Sequence, residues 1–329
     1  MYTRIELNME YYSKEIIKSK VEIIDVIEAV KQAFSMIEKG LIDTPLRTVI
    51  QAQEGTLLFM PAYSKELGLA VLKNVNVFLK NVDKGLPTTI AEIMLIDAKD
   101  GKTLVVLDGT YVTQLRTAAA SGAAFDVLGK KKCYKGALIG TGSIAETQLE
   151  AMLTVRDLKE VSIYSLHHDR CEAFVERMKT RYSNTGLIIN CAQNSSECVE
   201  NADLIIVATT SEKPVFDGSL VKKGATISCV GTYEPNKHEI DPILITRADK
   251  IFCDNKEAVL KESGDILIPL NQGLISLDDI NGGLGEVING TIKGRESDDE
   301  IIVFETVGIA AQDLIASSII YNRINKKYE

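Results

Sequence analysis

The chain has 329 residues, of which 45% are hydrophobic and 25% charged, and its formal net charge is −9. This composition is typical of a globular protein, and the acidic balance argues against nucleic acid as a partner, because binding phosphates needs a basic surface. No apolar run approaches the roughly 18 residues of a membrane span, which argues against a membrane partner. The beginning of the chain carries charges where a signal peptide has its apolar core. We therefore expect a cytoplasmic protein of one large or two ordinary domains.

The six cysteines and three histidines do not form a recognisable metal or redox motif. The cysteines are scattered without a C-x-x-C pair, and the histidines have no metal-ligand spacing with them. We predict reduced, mostly buried thiols, as in cytoplasmic proteins, and no metal site.

The first part of the chain is predicted to combine one helix with a series of short strands. Residues 20–39 have apolar side chains at helical spacing, and Gly40 ends this helix. Residues 46–96 are predicted to form strands, and "TTIAEIMLIDAKDGKTLVVLDG" predicts a hairpin with "KDGK" as its turn. A second helix is expected from about Thr110 to Leu128.

From Lys135 onward the pattern changes to strands alternating with helices. The predicted strands are "GALIGTG", "VSIYSL", "LIINCA", "DLIIVATT", "ATISCVG", "KIFCD" and "IIVFET". Helices are expected in "AETQLEAMLTV" and in "VGIAAQDLIASSIIYNRINKK", residues 307–327. This alternation predicts an α/β fold with a doubly wound parallel sheet of the Rossmann type.

The change in pattern predicts two domains. The first, an α/β domain of about residues 1–125, is completed by the C-terminal segment 306–329. The second, a dinucleotide-binding domain, covers about residues 126–305. A cleft between domains is a favoured place for a ligand.

The sequence "GALIGTGSIAETQ" follows the pattern of a dinucleotide-binding loop. Gly140 permits a tight turn, Gly142 lets the backbone approach a pyrophosphate, and Ala145 allows close packing of helix and strand. The N-terminus of the following helix attracts negative charge. The strand–turn–helix context favours this interpretation over an ordinary glycine turn.

The end of the next strand indicates which cofactor is bound. An acidic residue there would bind the ribose 2′-hydroxyl of NAD, but "VSIYSLHHDR" has Ser165 at that place, followed by His167 and Arg170. Asp169 is expected to lie too far along to contact the ribose. These residues suit a 2′-phosphate, so NADP(H) is favoured and NAD(H) stays possible. The alternative is a solvated loop without a role in binding.

Three cations of the first domain could bind an anion. Lys73 shares one strand face with Leu69, Val71, Val75 and Val77, all of which are apolar. A lysine there either has a buried anionic partner or extends to solvent at an edge.

Arg47 lies in a similar apolar stretch, and Arg116 precedes the run of Ala, Ser and Gly in "YVTQLRTAAASGAA". Together with Lys73, these two arginines could converge on one carboxylate. A structural ion pair is the alternative for each of the three cations.

Several blocks of the sequence resemble the ornithine cyclodeaminase/mu-crystallin family over nearly the whole chain. They are "KNVNVF", "GLPTTIAEIMLIDAKDGKTLVVLDGTYVTQLRTAAASGAA", "IGTGSIA", "GTYEPNKHEID" and "ETVGIAAQDL". The resemblance implies a homodimer in which an N-terminal domain packs on a Rossmann domain. It also implies a nicotinamide cofactor and an amino acid or a cyclic or linear imino acid as substrate.

The resemblance assigns roles to single positions. For the substrate, the matching residues are Arg47, Lys73, Arg116 and Val307. For the cofactor, they are Thr88, Arg116, Ser143, Ile144, Thr210, Val230, Lys237 and Thr306. The small residues after Arg116 would let their helix pack tightly against its neighbours, the cofactor or a dimer partner.

One position departs from the cyclodeaminase pattern. Cyclodeaminases carry an acid for proton transfer after the fifth strand of the dinucleotide-binding domain, where this chain has Tyr233. Glu234 is adjacent but is expected to point elsewhere. A phenol with an ordinary pKa near 10 is a poor base at neutral pH, so Tyr233 favours simple imine reduction.

We therefore expect a reductase of a 2-imino acid such as Δ1-pyrroline-2-carboxylate or Δ1-piperideine-2-carboxylate, with Lys73, Arg116 and Tyr233 as catalytic residues. The alternatives are an ornithine cyclodeaminase that forms proline and ammonia, an alanine dehydrogenase-like enzyme, and a non-catalytic NADP-binding protein. Retention of the three cations argues against the last alternative.

Overall fold

Two β-sheets organise residues 9–325, the part of the chain that this computed structural model describes. The first sheet has the strand order β1-β6-β5-β4-β3-β2. It is antiparallel except for the pair β1 and β6. Its strands are β1 (Tyr11–Tyr12), β2 (Thr48–Gln51), β3 (Thr56–Ser64), β4 (Leu69–Val77), β5 (Thr89–Asp97) and β6 (Thr103–Asp108).

The second sheet is parallel throughout, with the order β13-β12-β14-β11-β10-β7-β8-β9. Its strands are β7 (Lys135–Ile139), β8 (Glu160–Tyr164), β9 (Ile188–Cys191), β10 (Leu204–Val207), β11 (Thr226–Cys229), β12 (Lys250–Cys253), β13 (Ile280–Gly283) and β14 (Ile302–Glu305). The chain reverses its direction of winding between β7 and β10, and ligands of doubly wound sheets bind at this switch point. The predicted α/β class is therefore confirmed.

The helices cover both faces of the second sheet and one face of the first. They are α1 (Lys14–Lys18), α2 (Ile23–Glu38), α3 (Gly109–Leu128), α4 (Ala145–Val155), α5 (His168–Arg181), α6 (Ser195–Val199), α7 (Pro242–Arg247), α8 (Lys256–Glu262), α9 (Gly264–Asn271), α10 (Leu284–Asn289) and α11 (Ala310–Ile324). No helix within residues 9–325 is both long and apolar enough to cross a membrane. The six cysteines are free thiols, and four of them are buried.

Helix α3 lies between the two sheets and contacts α2, α4, α11, β5 and β11. Its residues from Leu115 to Phe125 are all buried. A β-carbon on Gly122 would lie 2.7 Å from Cδ1 of Ile27 on α2. The small residues of α3 thus allow neighbouring helices to approach closely, as their composition predicted.

Most element boundaries agree with the sequence predictions, and the differences have local causes. The helix predicted at 20–39 is α2, which begins at Ile23 after a capping box formed by Glu22 and Asp25. The C-terminal helix begins at Ala310 rather than at residue 307, because Gly308 has φ +77° and cannot continue a right-handed helix. Its predicted end at residues 326–327 lies outside the described residues. Strands β1 and β13 and helix α1 were not predicted.

Candidate active site

Lys73 and Arg116 meet at a carboxylate that the sequence analysis did not single out. Lys73 lies on the core face of β4 and is completely buried. Its Nζ is 2.5 Å from Oδ2 of Asp313 on α11. Nε of Arg116, on α3, is 3.3 Å from Oδ1 of the same carboxylate, and its Nη1 donates a hydrogen bond to Oε1 of Gln312 at 3.0 Å. Three elements distant in sequence thus form one buried cationic cluster.

The environment of Lys73 lowers the pKa of its ammonium group to about 7. Burial is the largest cause, and the positive charge of Arg116 adds to it. Asp313 opposes this shift, whereas Arg47 lowers the pKa further. An amine with a pKa near neutrality can both donate and accept a proton at physiological pH. The cluster therefore contains a group suited to general acid–base chemistry.

Gly308 is the residue that lets Arg116 reach this position. A β-carbon on Gly308 would lie 2.3 Å from Nη1 of Arg116. The guanidinium therefore lies directly against the backbone that precedes α11. Val307, the predicted neighbour of the substrate, is buried beside it.

Arg47 does not join the carboxylate of Asp313. It directly precedes β2 rather than lying within a strand, and it makes two hydrogen bonds to Glu262 at the end of α8, at 3.0 and 2.7 Å. It also donates to the carbonyl oxygens of Val307 and Gly308. Arg47 and Glu262 both line a cavity of about 120 Å³. The three predicted cations thus lie near one another but divide between two carboxylates of the chain.

Tyr233 lies in the loop after β11, with 40% of its side chain exposed. The pKa of its phenol is raised above the ordinary value, first by burial of part of the ring and then by Glu234. Glu234 itself pairs with Lys237 at 2.9 Å. Tyr233 is therefore neutral at physiological pH, and the neighbouring carboxylate of Glu234 is held by Lys237.

The glycine loop after β7 has the features that a bound pyrophosphate requires. Gly140 has φ +104°, and a β-carbon there would lie 2.2 Å from the carbonyl oxygen of Ala208. Around Gly142, in contrast, nothing lies within 4 Å of a β-carbon. Ser143 is exposed and Ile144 forms the N-cap of α4. The open backbone at this helix N-terminus fits the phosphates of a dinucleotide.

The predicted ribose-binding residues lie at the end of β8. Ser165 directly follows the strand, and His167 and Arg170 are exposed at the N-terminus of α5. Asp169 lies in the first turn of that helix, beyond the position after the strand. A basic and hydroxyl-bearing loop thus occupies the place where NAD-specific folds have an acid.

The remaining predicted cofactor residues lie around the same edge of the second sheet or at the start of β5. Thr210 is exposed after β10, and Val230 is half-buried after β11. Thr88 directly precedes β5, and its carbonyl oxygen accepts a hydrogen bond from Phe78. Thr306 is buried, and its hydroxyl donates to Asp254 at 2.7 Å. The hydroxyl of Thr306 is therefore already engaged within the chain.

Comparison with known proteins places this arrangement in a family. The sequence model of the ornithine cyclodeaminase/mu-crystallin family matches residues 9–328. The chain belongs to this family. It is 35% identical over 282 residues to a Δ1-pyrroline-2-carboxylate reductase of Bacillus cereus, and the match covers 85% of this chain and 86% of that protein.

Two solved structures of family-like enzymes superpose closely on this chain. One is the Δ1-pyrroline-2-carboxylate reductase of Thermococcus litoralis in complex with NADH and L-proline, with a TM-score of 0.92 and 34% identity. The match covers 97% of this chain and 98% of that one. The other is an archaeal alanine dehydrogenase dimer with bound NAD, with a TM-score of 0.89, 33% identity and 97% coverage of both chains. The family resemblance predicted from the sequence is therefore confirmed.

Three residues of the site were not predicted from the sequence: Glu262, Gln312 and Asp313. Asp313 carried a usable signal, since it is the one acid within the mostly apolar run "GIAAQDLIA". A carboxylate on the buried side of a helix needs a cationic partner, and a buried anionic partner was one of the two alternatives for Lys73. Glu262 gave no such signal, because it lies in the polar segment "KEAVLKES".

Proposed function

We propose that this protein is a nicotinamide-dependent reductase that converts a small cyclic 2-imino acid, such as Δ1-pyrroline-2-carboxylate, into the corresponding amino acid. The observation that carries the proposal is the buried cluster of Lys73, Arg116 and Asp313, in which an amine with a pKa of about 7 lies among fixed charges. The reductases of Bacillus cereus and Thermococcus litoralis support the same reaction class.

The charges of the cluster suit a substrate with one carboxylate. Arg47, Lys73 and Arg116 form ion pairs with two carboxylates, Glu262 and Asp313. The buried carboxyl group of Asp254 also interacts with Arg116 and with Glu262. A substrate carboxylate would lie among the three cations, and an arginine fork would fix its orientation. Because Arg47 already binds Glu262, the substrate must compete with this glutamate.

The reaction needs a hydride and a proton. The loop of Gly140 to Ile144 would hold a nicotinamide cofactor, which would supply the hydride for the carbon of the C=N bond. Lys73 donates a proton to the imine nitrogen, so the products are the saturated amino acid, the oxidised cofactor and a neutral amine on Lys73, which regains its proton from solvent after the product leaves. Burial keeps water from the charged groups and strengthens their interaction with the substrate.

Tyr233 separates this proposal from cyclodeamination. Ammonia addition and loss need an acid that changes its protonation state, whereas the phenol of Tyr233 stays neutral because its pKa is raised. Glu234 pairs with Lys237 and is not free to replace it. We therefore expect imine reduction without efficient ammonia release from ornithine.

The proposal is tested by a spectrophotometric screen of NADPH and NADH oxidation with Δ1-pyrroline-2-carboxylate and Δ1-piperideine-2-carboxylate. Parallel assays measure ammonia release from ornithine and NAD(P)H oxidation with pyruvate plus ammonia. We expect turnover of the cyclic imino acids only. Robust ammonia release with proline formation would overturn the argument from Tyr233, and efficient use of pyruvate plus ammonia would make the protein an alanine dehydrogenase.

We further propose that NADP(H) is preferred over NAD(H). Ser165, His167 and Arg170 offer a hydroxyl and basic groups to a 2′-phosphate, and no carboxylate stands directly after β8 to repel it. The Thermococcus litoralis and archaeal structures contain NADH and NAD, so this preference would distinguish the present chain from those two proteins.

We also propose a homodimer formed through the first sheet. Strand β2 is an edge strand, and Val49 and Ile50 on it are each 49% exposed. An exposed apolar edge strand is a surface that another chain readily covers. In this arrangement residues 1–125 with the C-terminal helix form the substrate-binding and dimerisation domain, and residues 126–305 form the dinucleotide-binding domain. We place the enzyme in the cytoplasm, where its free thiols are stable.

A further inference from the structure

Three carboxyl side chains are buried together at the C-terminal edge of the second sheet. They belong to Glu239 in the loop after β11, Asp265 on α9 and Glu305 at the end of β14, and none is more than 1% exposed. Within the described residues, no cluster of His, Cys, Asp or Glu is arranged to hold a metal ion. The proposed reaction uses none of the three. Their burial therefore needs another explanation.

Glu239 is wedged between the ends of two neighbouring strands. Its Oε1 accepts hydrogen bonds from the backbone N–H of Thr209 at 2.6 Å and from the hydroxyl of the same residue. On the other side, a β-carbon on Gly231 would lie 2.0 Å from Oε2 of Glu239. Thr209 follows β10 and Gly231 follows β11. One carboxyl group thus fills the space between the two loops and joins them.

The backbone of Glu239 is fixed as firmly as its side chain. Oδ1 of Asp265 accepts hydrogen bonds from the N–H groups of Glu239 and Ile240, at 2.7 and 2.8 Å. Asp265 thereby ties the loop after β11 to α9. The side chain of Glu239 cannot leave its place without breaking its bonds to Thr209, and its backbone cannot move without breaking those to Asp265.

These loops lie where the reactive half of a dinucleotide is bound. The C-terminal ends of parallel strands beside the switch point form the ligand crevice of doubly wound folds. The backbone of Ala208, one residue before Thr209, contacts the pyrophosphate loop at Gly140. Tyr233 follows two residues after Gly231. A shift of either loop would therefore move the nicotinamide ring and the residues that face the substrate.

We propose that Glu239 is a positioning residue that joins the loops after β10 and β11 and thereby fixes the nicotinamide half of the cofactor site. This inference rests on the proposed function, since it assumes that a nicotinamide cofactor occupies that edge. Glu239 acts through the backbone and need not touch the cofactor itself.

Glu239 performs this role as a neutral acid. Its pKa is raised to about 8, first by burial and then by Asp265. Asp265 on α9 and Glu305 on β14 face it with further carboxyl groups, Cys229 on β11 faces it with a thiol, and His238 lies beside Asp265. A protonated glutamic acid and a glutamine have nearly the same shape, are both neutral, and both offer a carbonyl oxygen as acceptor beside a donor group. A glutamine at position 239 should therefore preserve the positioning role, whereas an apolar residue should abolish it.

The test compares Glu239→Gln and Glu239→Leu in the full-length protein, with Glu286→Leu as a matched control. Glu286 also accepts a backbone N–H, that of Gly283, but at the far edge of the same sheet. NADPH binding is followed by the change in its fluorescence without substrate, and kcat is measured with the imino acid. We expect Glu239→Leu to lower kcat by about tenfold or more, because small misplacements of reacting groups are costly. The fluorescence of bound NADPH should differ from that in the parent, because the surroundings of the nicotinamide change, whereas the affinity should change little, since the pyrophosphate loop is intact.

Glu239→Gln should keep both the fluorescence change and kcat of the parent. Its Tm should exceed that of the parent increasingly as pH rises from about 5 to 8. The reason is that a group with a raised pKa contributes stability at low pH and loses it as pH rises through the pKa of the folded state, here about 8. Glutamine does not titrate.

Three outcomes would overturn the inference: parent-like fluorescence and kcat in folded Glu239→Leu, equal damage by glutamine and leucine, or equal damage by the control. If Glu239→Leu does not fold, Thr209→Val removes the hydrogen bond from the Thr209 hydroxyl to Glu239. This variant should lower kcat by a smaller factor. If the parent binds NADPH but reduces no imino acid, the proposed function fails, while the fluorescence comparison still decides the role of Glu239.

Discussion

Lys73 keeps its ammonium group inside the core only because Asp313 is there. Burial and the charge of Arg116 both favour the neutral amine, and the contact of 2.5 Å with the carboxylate is the main force that keeps the group charged near neutral pH. Breaking a buried ion pair by removing one partner typically costs about 3–5 kcal/mol. The balance of these effects sets the pH range in which Lys73 can donate a proton.

Asp313→Asn should move the pH dependence of the reaction to lower values. Removing the carboxylate takes away the interaction that raises the pKa of Lys73, so the pKa should fall below about 7. The protonated form needed for catalysis is lost as pH rises through the pKa, and kcat in the variant should therefore decline at a lower pH than in the parent. A pH–rate profile measures this shift.

Glu54→Gln is the control for that experiment, because Glu54 forms an exposed ion pair with Lys80. Its profile should match that of the parent. Identical profiles for the parent and for folded Asp313→Asn would show that Lys73 is not the proton donor.

Ser165→Asp should shift the cofactor preference toward NADH. A carboxylate directly after β8 would repel a 2′-phosphate and accept a hydrogen bond from a 2′-hydroxyl. Ser183→Asp adds the same charge to an exposed residue beyond the end of α5 and should leave the preference unchanged. The ratio of kcat/KM for the two cofactors is the measurement. A parent that uses both equally well would contradict the proposed role of Ser165.

At the scale of single residues, the sequence predicted the cations of the site better than the carboxylates that pair with them. The alternation of β4 placed Lys73 on an apolar face and left two alternatives, a buried anionic partner or a position at an edge; the structure shows the anion, 240 residues away in the sequence. Such a pairing depends on how α11 packs on β4, which local patterns do not determine. For the same reason Arg47 was predicted either to bind the substrate or to form a structural ion pair, and Glu262 was not identified as its partner.

The glycine loop shows how one short element divides two tasks between two glycines. Gly140 fits against the backbone of Ala208 and has a positive φ, so its role is in the fold. Gly142 has free space around it, so its role is in binding. The sequence pattern predicted both residues and these two roles, and the structure adds the neighbouring atoms that separate them.

Alanine substitutions should separate the two roles. Gly142→Ala should keep the Tm of the parent but weaken cofactor binding by about tenfold or more, equivalent to ~1.4 kcal/mol, because the methyl group occupies the phosphate space. Gly140→Ala should be destabilised, since strained backbone alone costs on the order of 1–3 kcal/mol. Thermal unfolding and NADPH titration measure the two effects. Unchanged cofactor affinity in Gly142→Ala would remove this loop from the cofactor site.

Periodicity predicted the elements with strong apolar patterns and missed those without one. All strands of the second sheet except β13 were predicted, because they are short apolar runs between turn residues. The sequence of β13 is "INGG", in which only one residue is apolar, and it forms a strand only because β12 offers it a partner. Strand β1 has two residues and depends likewise on β6.

The edge strands β2 and β9 each carry an exposed isoleucine, and we expect different roles for them. Ile50→Lys on β2 should convert the proposed dimer into a monomer, because an edge lysine opposes pairing with another chain. Ile188→Lys on β9, the edge of the second sheet, is the matched control, since Ile188 is 53% exposed. Light scattering coupled to size exclusion measures the mass. A dimer that persists in folded Ile50→Lys would assign the interface to another surface.

The position of Asp313 in the chain has a consequence for biosynthesis. Strands β3 to β6 leave the ribosome long before α11, and until α11 is made Lys73 has no carboxylate to neutralise it. An uncompensated ammonium group opposes closure of the core around β4. The first sheet can therefore reach its final packing only in a late step, after translation has passed residue 313. A chain interrupted earlier should stay open and become a substrate for proteases, rather than persist as a partly active enzyme.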